Sequence, residues 1–253
     1  MLLADLNWPA VAALPKDTPV VFPVAALEQH GHHMPVFTDS LLCGEIMRRT
    51  EERLRDKILI APLQWLGNSD HHLDFAGTLS APPRMYLDLL NALIDNFVMH
   101  GFKRLVFING HGGNDVPGKQ AVFEARQRYR ERHDLCLVFA TYWLLGGSPN
   151  RSNPQLVQTQ MGHACEWETS MVMRIRPELV ASNVASIEAV PWGNAFSPAS
   201  RGWITKDRTT PGHIGDPRHA TPEKGELLFR SFTDDVVGLL NRVIAWDGRS
   251  WDG

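Results

Sequence analysis

The sequence predicts an α/β fold in which a mainly parallel sheet is covered by helices on both faces. Three observations predict it. Short apolar runs recur along the chain, segments with helical spacing of apolar residues separate them, and the first run is apolar throughout rather than alternating. Strand and helix taking turns argues for right-handed βαβ units. The 253 residues suffice for one large domain, 1–253, and no low-complexity linker divides them.

Each element follows from local chemistry. Residues 20–27 form an uninterrupted apolar run, as expected of a strand buried on both faces. Residues 38–55 read as a helix, with Thr38 or Asp39 near its start and arginines towards its end. A second short strand spans 58–63. From 82 to 100, Tyr86, Leu89, Leu90, Leu93 and Phe97 recur at helical spacing, and Gly101 follows as a stop. Residues 104–108 make a third strand, 116–132 a helix and 135–140 a fourth strand. Beyond 145 the pattern loosens: a helix over 163–175, mostly loop with some strand over 182–221, and a final amphipathic helix over 222–245.

Composition excludes several classes. A net charge of −3 with no basic cluster argues against a nucleic-acid partner. No apolar run reaches membrane-spanning length, and the N-terminus lacks a basic n-region, so no membrane role is expected and the cytoplasm is the expected compartment. Cys43, Cys136 and Cys165 are odd in number and lack CxxC spacing, which fits free thiols in a reducing compartment. Histidine is the unusual entry in the composition: eleven residues, several in pairs or beside acids.

The chemistry sits just past the strands. In Glu28-Gln29-His30 the first and third side chains project to one side of an extended segment, and Asp39 can return its carboxylate to the same space. A central aspartate has two oxygens and can bridge two cations; mixed oxygen and nitrogen donors suit zinc, manganese or iron. The plainer reading is a strand end with polar residues at the surface. Asn109-Gly110-His111-Gly112-Gly113-Asn114 ends the third strand in a glycine-rich turn, where backbone can approach a ligand closely. A phosphate-cradling turn is the alternative, but GxGxxG and P-loop spacings are absent and a histidine occupies the turn.

Two further segments contribute. In His163-Ala164-Cys165-Glu166-Trp167-Glu168, a helix would place His163 and Glu166 on one face, with Glu168 nearly opposite Glu166. A solvated first helical turn is the competing reading. Gly67-Asn68-Ser69-Asp70-His71-His72 is small and polar and lines a pocket or forms a surface turn. Trp143, Trp167, His72 and His213 either shape the pocket or serve ordinary packing.

Together these segments resemble the creatininase (creatinine amidohydrolase) family across most of the chain: EQHG with its following aspartate, GxS before HHxxFxGTxS, NGHGGN, and HAxExETS. The resemblance implies a three-layer α/β/α fold with a mainly parallel central sheet. It implies two divalent metal ions, zinc expected with Mn2+ or Fe2+ as alternatives, and a homo-oligomer, a hexamer. Glu28, Asp39 and His111 would hold one metal, and His30, Asp39 and a further glutamate the other. In creatininase that last ligand stands two residues after the histidine matching His111; here the position is Gly113. Glu166 is the expected replacement, both as ligand and in catalysis, with Glu168 the fallback. His163 matches a proton-shuttling histidine, and Ser69, His72, Gly112, Gly113 and Trp143 are the expected substrate contacts.

The implied activity is hydrolysis of a C–N bond in a cyclic amide, formamide or related amide of a small-molecule substrate, through a hydroxide bridging the metals. Gly112 replaces an aromatic found in creatininase, which turns the expectation away from creatinine itself. The rival readings are a lactone or ring hydrolase or isomerase on a sugar-like substrate, and a non-catalytic metal-binding scaffold.

Overall fold

In the computed structural model, which describes residues 1–191 and 193–251, ten principal elements follow one another. They are α1 (Trp8–Ala13), β1 (Val20–Val24), α2 (Thr38–Leu54), β2 (Leu59–Ile60), α3 (Pro83–Met99), β3 (Arg104–Asn109), α4 (Asp115–Arg128), β4 (Cys136–Thr141), α5 (Glu166–Ile175) and α6 (Pro222–Ala245). The strands form one sheet in the order β2-β1-β3-β4, and every pairing is parallel. Val20 pairs with Leu59 on one side and Leu105 on the other, and Arg104 pairs with Cys136.

The alternation of side chains along each strand builds two cores. Val21, Val106, Ile108 and Ile60 face α2, α5 and α6, packing on Ile46, Trp167, Met171 and Phe229. Val20, Phe22, Val24, Leu105 and Phe107 face α3 and α4, packing on Tyr86, Leu90, Ile94 and Ala121. β1 and β3 are covered on both faces, which is why their sequences are apolar at nearly every position. The result is the expected three-layer α/β/α arrangement. The three cysteines are unpaired, and no helix among the described residues is long and apolar enough to cross a membrane.

The topology fixes where a ligand can go. From β1 the chain passes through α2 to β2 on one side, whereas β3, α4 and β4 continue on the other side and the other face. The order reverses between β1 and β3, so a crevice opens beyond their carboxyl ends. Glu28 and His30 follow β1, His111 follows β3, and Asp39 lies in the first turn of α2. The 145–221 region carries less regular structure than the rest, as its sequence suggests, and short 3-10 turns stand in for strands there.

Candidate metal centre

The crevice is built by side chains that fasten backbone to backbone. Asn109 accepts from the His111 N–H (3.1 Å) and donates to the His111 carbonyl (2.7 Å), clamping the histidine's backbone from both ends. Asn114 donates to the Ala25 carbonyl after β1 (2.9 Å) and accepts from the Asn68 N–H (2.8 Å), tying three loops together. Ser40 donates to the Ala26 carbonyl at 2.8 Å and anchors the start of α2. These asparagines are fully buried, and all of these bonds close over the strand ends.

Into this frame project Glu28, His30, Asp39, His111 and Glu168, each at most 6% exposed. His30 Nε2 lies 3.1 Å from Asp39 Oδ1 and 3.8 Å from Glu168 Oε1. His111 sits between two carboxylates, Nδ1 2.9 Å from Asp39 Oδ2 and Nε2 3.3 Å from Glu28 Oε2. Asp39 therefore stands between the two histidines, one oxygen towards each. His30 Nδ1 faces the Glu28 carbonyl at 3.1 Å; a carbonyl only accepts, so Nδ1 carries the proton and Nε2 is the nitrogen presented to the carboxylates. Glu168 Oε2 accepts from the Ala164 N–H at 2.5 Å, which steadies the carboxylate and leaves Oε1 for the cluster.

This donor set fits divalent cations. Glu28 Oε2, His30 Nε2 and Asp39 Oδ2 are buried atoms that make no aligned hydrogen bond, although ionisable neighbours lie 2.9–3.3 Å away. Their close approaches converge on shared points instead of pairing donor to acceptor, as ligands around an ion do. Leaving a buried polar atom unsatisfied costs about 1–3 kcal/mol, more when charged, so three such atoms in one cluster favour occupation by a cation that all of them can meet at once. Donors drawn from these residues lie within 4.8 Å of one another in overlapping groups: Glu28, His30 and Asp39; His30, His163 and Glu168; and Glu28, His72 and His163.

The electrostatics agree. Burial disfavours charge on His30 and His111, yet Asp39 with Glu168 beside the first, and Glu28 with Asp39 beside the second, outweigh it. The His30 pKa is raised well above its ordinary value and that of His111 is raised to about 10. Burial opposes ionisation of Asp39 as well, but His30 and His111 pull its pKa well below the usual carboxylate range. Without cations, protons on the two imidazoles balance the carboxylates.

Around the cluster lies a shell of neutral histidines. Burial, followed by the charge of His30, lowers the His163 pKa to about 3. Its Nε2 is 2.8 Å from the Gln29 carbonyl, which must accept, so Nδ1 keeps a free lone pair 3.5 Å from Glu28 Oε1. His72 has Nε2 3.3 Å from Glu28 Oε1, while Nδ1 faces the Gln29 amide nitrogen (2.8 Å) and the Thr205 hydroxyl (3.0 Å). Burial and the neighbouring His163 hold the His72 pKa far below normal.

Several expected residues stand elsewhere. Glu166, expected as ligand and catalytic group, is fully buried away from the cluster: Oε1 pairs with Lys224 Nζ at 2.6 Å and accepts from the Val157 N–H, and Oε2 accepts from the Gln158 N–H at 2.6 Å. The helix begins at Glu166, not at His163, because Ala164 adopts φ +50° and Cys165 is extended. Glu168, in the same first turn, is the one that faces His30. Trp143 packs edge-on against Tyr142 at the core and touches no cluster residue among its described ring contacts. His72, expected as a substrate contact, has both nitrogens engaged by protein groups, Nε2 against Glu28 and Nδ1 against Gln29 and Thr205. Ser69 is buried with its hydroxyl 3.2 Å from His111 Nε2, a support for that ring. Gly112 does face open space, with nothing within 4 Å of where a Cβ would stand, whereas Gly113 is walled in.

Sequence reasoning gave no role to Trp203, Thr205 or Gln29. Trp203, 39% exposed, packs edge-on to His71 at 5.2 Å, and the 3-10 turn Thr205–Asp207 brings Thr205 to His72. Gln29, buried between Glu28 and His30, links His72 and the Gly212 carbonyl. Its position between two ligand-type residues was the available signal.

Comparison with known proteins supplies the family. The creatininase family model, described as creatinine amidohydrolase, matches residues 4–240. The chain is 29% identical to the mycofactocin precursor peptide peptidase of Mycobacterium ulcerans over 257 aligned residues, covering 97% of this chain and 92% of that one. It is 28% identical to the creatinine amidohydrolase of Pseudomonas putida, covering 95% and 96%. A creatininase variant solved with creatine superposes with a TM-score of 0.81 at 27% identity, covering 96% of this chain and 98% of that one. Similar creatininase structures include a Zn–Zn form and a Mn form. A fold, a strand-end cluster of buried carboxylates and imidazoles, and a family match over nearly the whole length converge on one assignment: this chain belongs to the creatininase family of metal-dependent amidohydrolases.

Proposed function

We propose that this chain is a dinuclear amidohydrolase that cleaves the C–N bond of a small amide, whether cyclic, formyl or peptide-like. Glu28, Asp39 and His111 hold one cation, and His30, Asp39 and Glu168 hold the other, with Asp39 shared. The observation that carries this reading is the trio of orphaned buried atoms on Glu28, His30 and Asp39, set where Asp39 stands between the two histidines. Zinc is the proposed metal, since the donors mix imidazole with carboxylate. The assembly proposed is a homo-oligomer of hexamer type, from the family resemblance.

Two cations held there supply a water of lowered pKa and a Lewis acid for the scissile carbonyl. The protein's own groups do the rest. Glu168 and Glu28 are each fixed at one oxygen, by the Ala164 N–H and by His72, so their free oxygens are positioned before substrate arrives. His163 is neutral, its Nε2–H is held by the Gln29 carbonyl, and its Nδ1 faces the cluster. It can accept a proton at Nδ1 and return it to the leaving nitrogen. Gly112 leaves the space beside His111 open to the substrate, and Trp203 gives the mouth an aromatic wall.

The test is a panel of cyclic amides, formamides, short peptides and lactones, assayed on protein stripped with a chelator and reconstituted with zinc or manganese. Amide cleavage that vanishes on stripping and returns on reconstitution is expected. Turnover of lactones alone would move the assignment to another ring hydrolase. Undiminished amide turnover in metal-free protein would end it.

A further inference from the structure

The chain carries histidine at both 71 and 72, and the site described above uses only His72. His71, half-buried on the 3-10 turn Asp70–His72, also stands beside Glu28. Its ring lies nearly parallel to that of His111, with centroids 5.8 Å apart and planes 15° apart, and the edge of Trp203 closes on it at 5.2 Å. A His71 nitrogen, a Glu28 oxygen and a His111 nitrogen all fall within 4.8 Å of one another. That is the spacing of donors around a single ion.

Gly113 keeps this place open. A Cβ at 113 would stand 2.9 Å from His71 Cε1, 2.5 Å from His111 Nε2 and 2.1 Å from the Asn68 carbonyl oxygen. No side chain fits there, so the turn after β3 offers no donor beyond His111, and the imidazole of His71 fills the space over the glycine. Resting on the dinuclear reading above, we propose that His71 is a further protein ligand of the cation held by Glu28 and His111, carried by the 70–72 turn into room that Gly113 leaves. The two cations then differ in kind. The one at Glu28 has two imidazoles and selects zinc or cobalt more strongly, while the one at Glu168 has a single imidazole and two carboxylates and discriminates less between zinc and manganese.

The experiment titrates metal-free protein with Co2+, following visible absorbance and bound metal after dialysis, for wild type, His71→Gln and His71→Gly, with His71→Gly also measured in added imidazole. Wild type should take up two equivalents. In both variants the affinity for one equivalent should fall roughly tenfold or more, with an altered spectrum for that ion, and imidazole should restore both in His71→Gly. Circular dichroism checks that the variants fold, and imidazole rescue separates a lost ligand from a damaged fold. Two equivalents bound by the variants with wild-type affinity and spectrum would overturn the proposal, as would a change confined to KM, which marks a substrate contact. Failure of wild type to bind cobalt at all is a different result and would overturn the dinuclear reading itself.

Discussion

Glu166 and Glu168 stand two residues apart in the first turn of α5, both buried, in opposite environments. Glu166 has every oxygen answered: Lys224 and two backbone N–H groups neutralise it. Glu168 has one oxygen answered by a backbone N–H and the other turned towards His30, in a cluster whose neighbours leave three polar atoms orphaned. A carboxylate that structure alone requires is brought to balance within the protein. One whose free oxygen faces a cluster of other ligand-type groups is the better candidate for holding an ion.

That contrast can be broken at its centre first. Asp39→Ala removes the shared ligand, and metal content should fall from two ions per chain to none with turnover abolished, read by elemental analysis and assay together. Glu168→Gln should cost one ion and most of the turnover while melting changes little. His163→Ala should keep both ions and slow turnover by about 10²–10⁴-fold, the range for a lost general acid–base group. Glu166→Gln should do the converse of Glu168→Gln. It leaves Lys224 without its buried partner, so stability should fall by about 3 kcal/mol while the ions remain, measured by denaturant titration. Equal metal loss in both glutamine variants would erase the distinction between the two acids.

A further effect is one of pH. In metal-free protein the pKa of His30 is raised and that of His111 is raised to about 10, so their protonation stabilises the folded state fully below about 6.5. That contribution is lost as pH rises towards 10. The metal-free melting temperature should therefore decline between those values, while metal affinity rises over the same range because ligands must be deprotonated. A flat melting profile without metal would place the charge balance elsewhere.

Much of this was legible in the sequence, for a physical reason. β1 and β3 are buried on both faces, so their apolar runs are unbroken, and the residues just past them are chemically conspicuous. Glu28, His30 and Asp39 bring their donor atoms together as their spacing suggested, and His111 stands against Asp39 and Glu28. The α5 turn was not legible. Its helix start depends on a non-glycine residue, Ala164, at φ +50°, which no residue pattern announces, and a shift of three residues exchanges the roles of Glu166 and Glu168. The partner that removes Glu166 from the site, Lys224, lies 58 positions along the chain. Trp203 and Thr205 belong to loops whose sequence carries no period, so only tertiary packing puts them at His71 and His72. Trp143 was named for its chemistry alone, and the core had a use for it.

Residues from two strand ends and two helix starts are proposed to hold two cations through one shared aspartate. Equilibrium dialysis of the wild-type chain against zinc at neutral pH, followed by elemental analysis, tests it most directly. Two tightly held ions per chain are expected. A chain that retains none, or a single ion at full turnover, would contradict it.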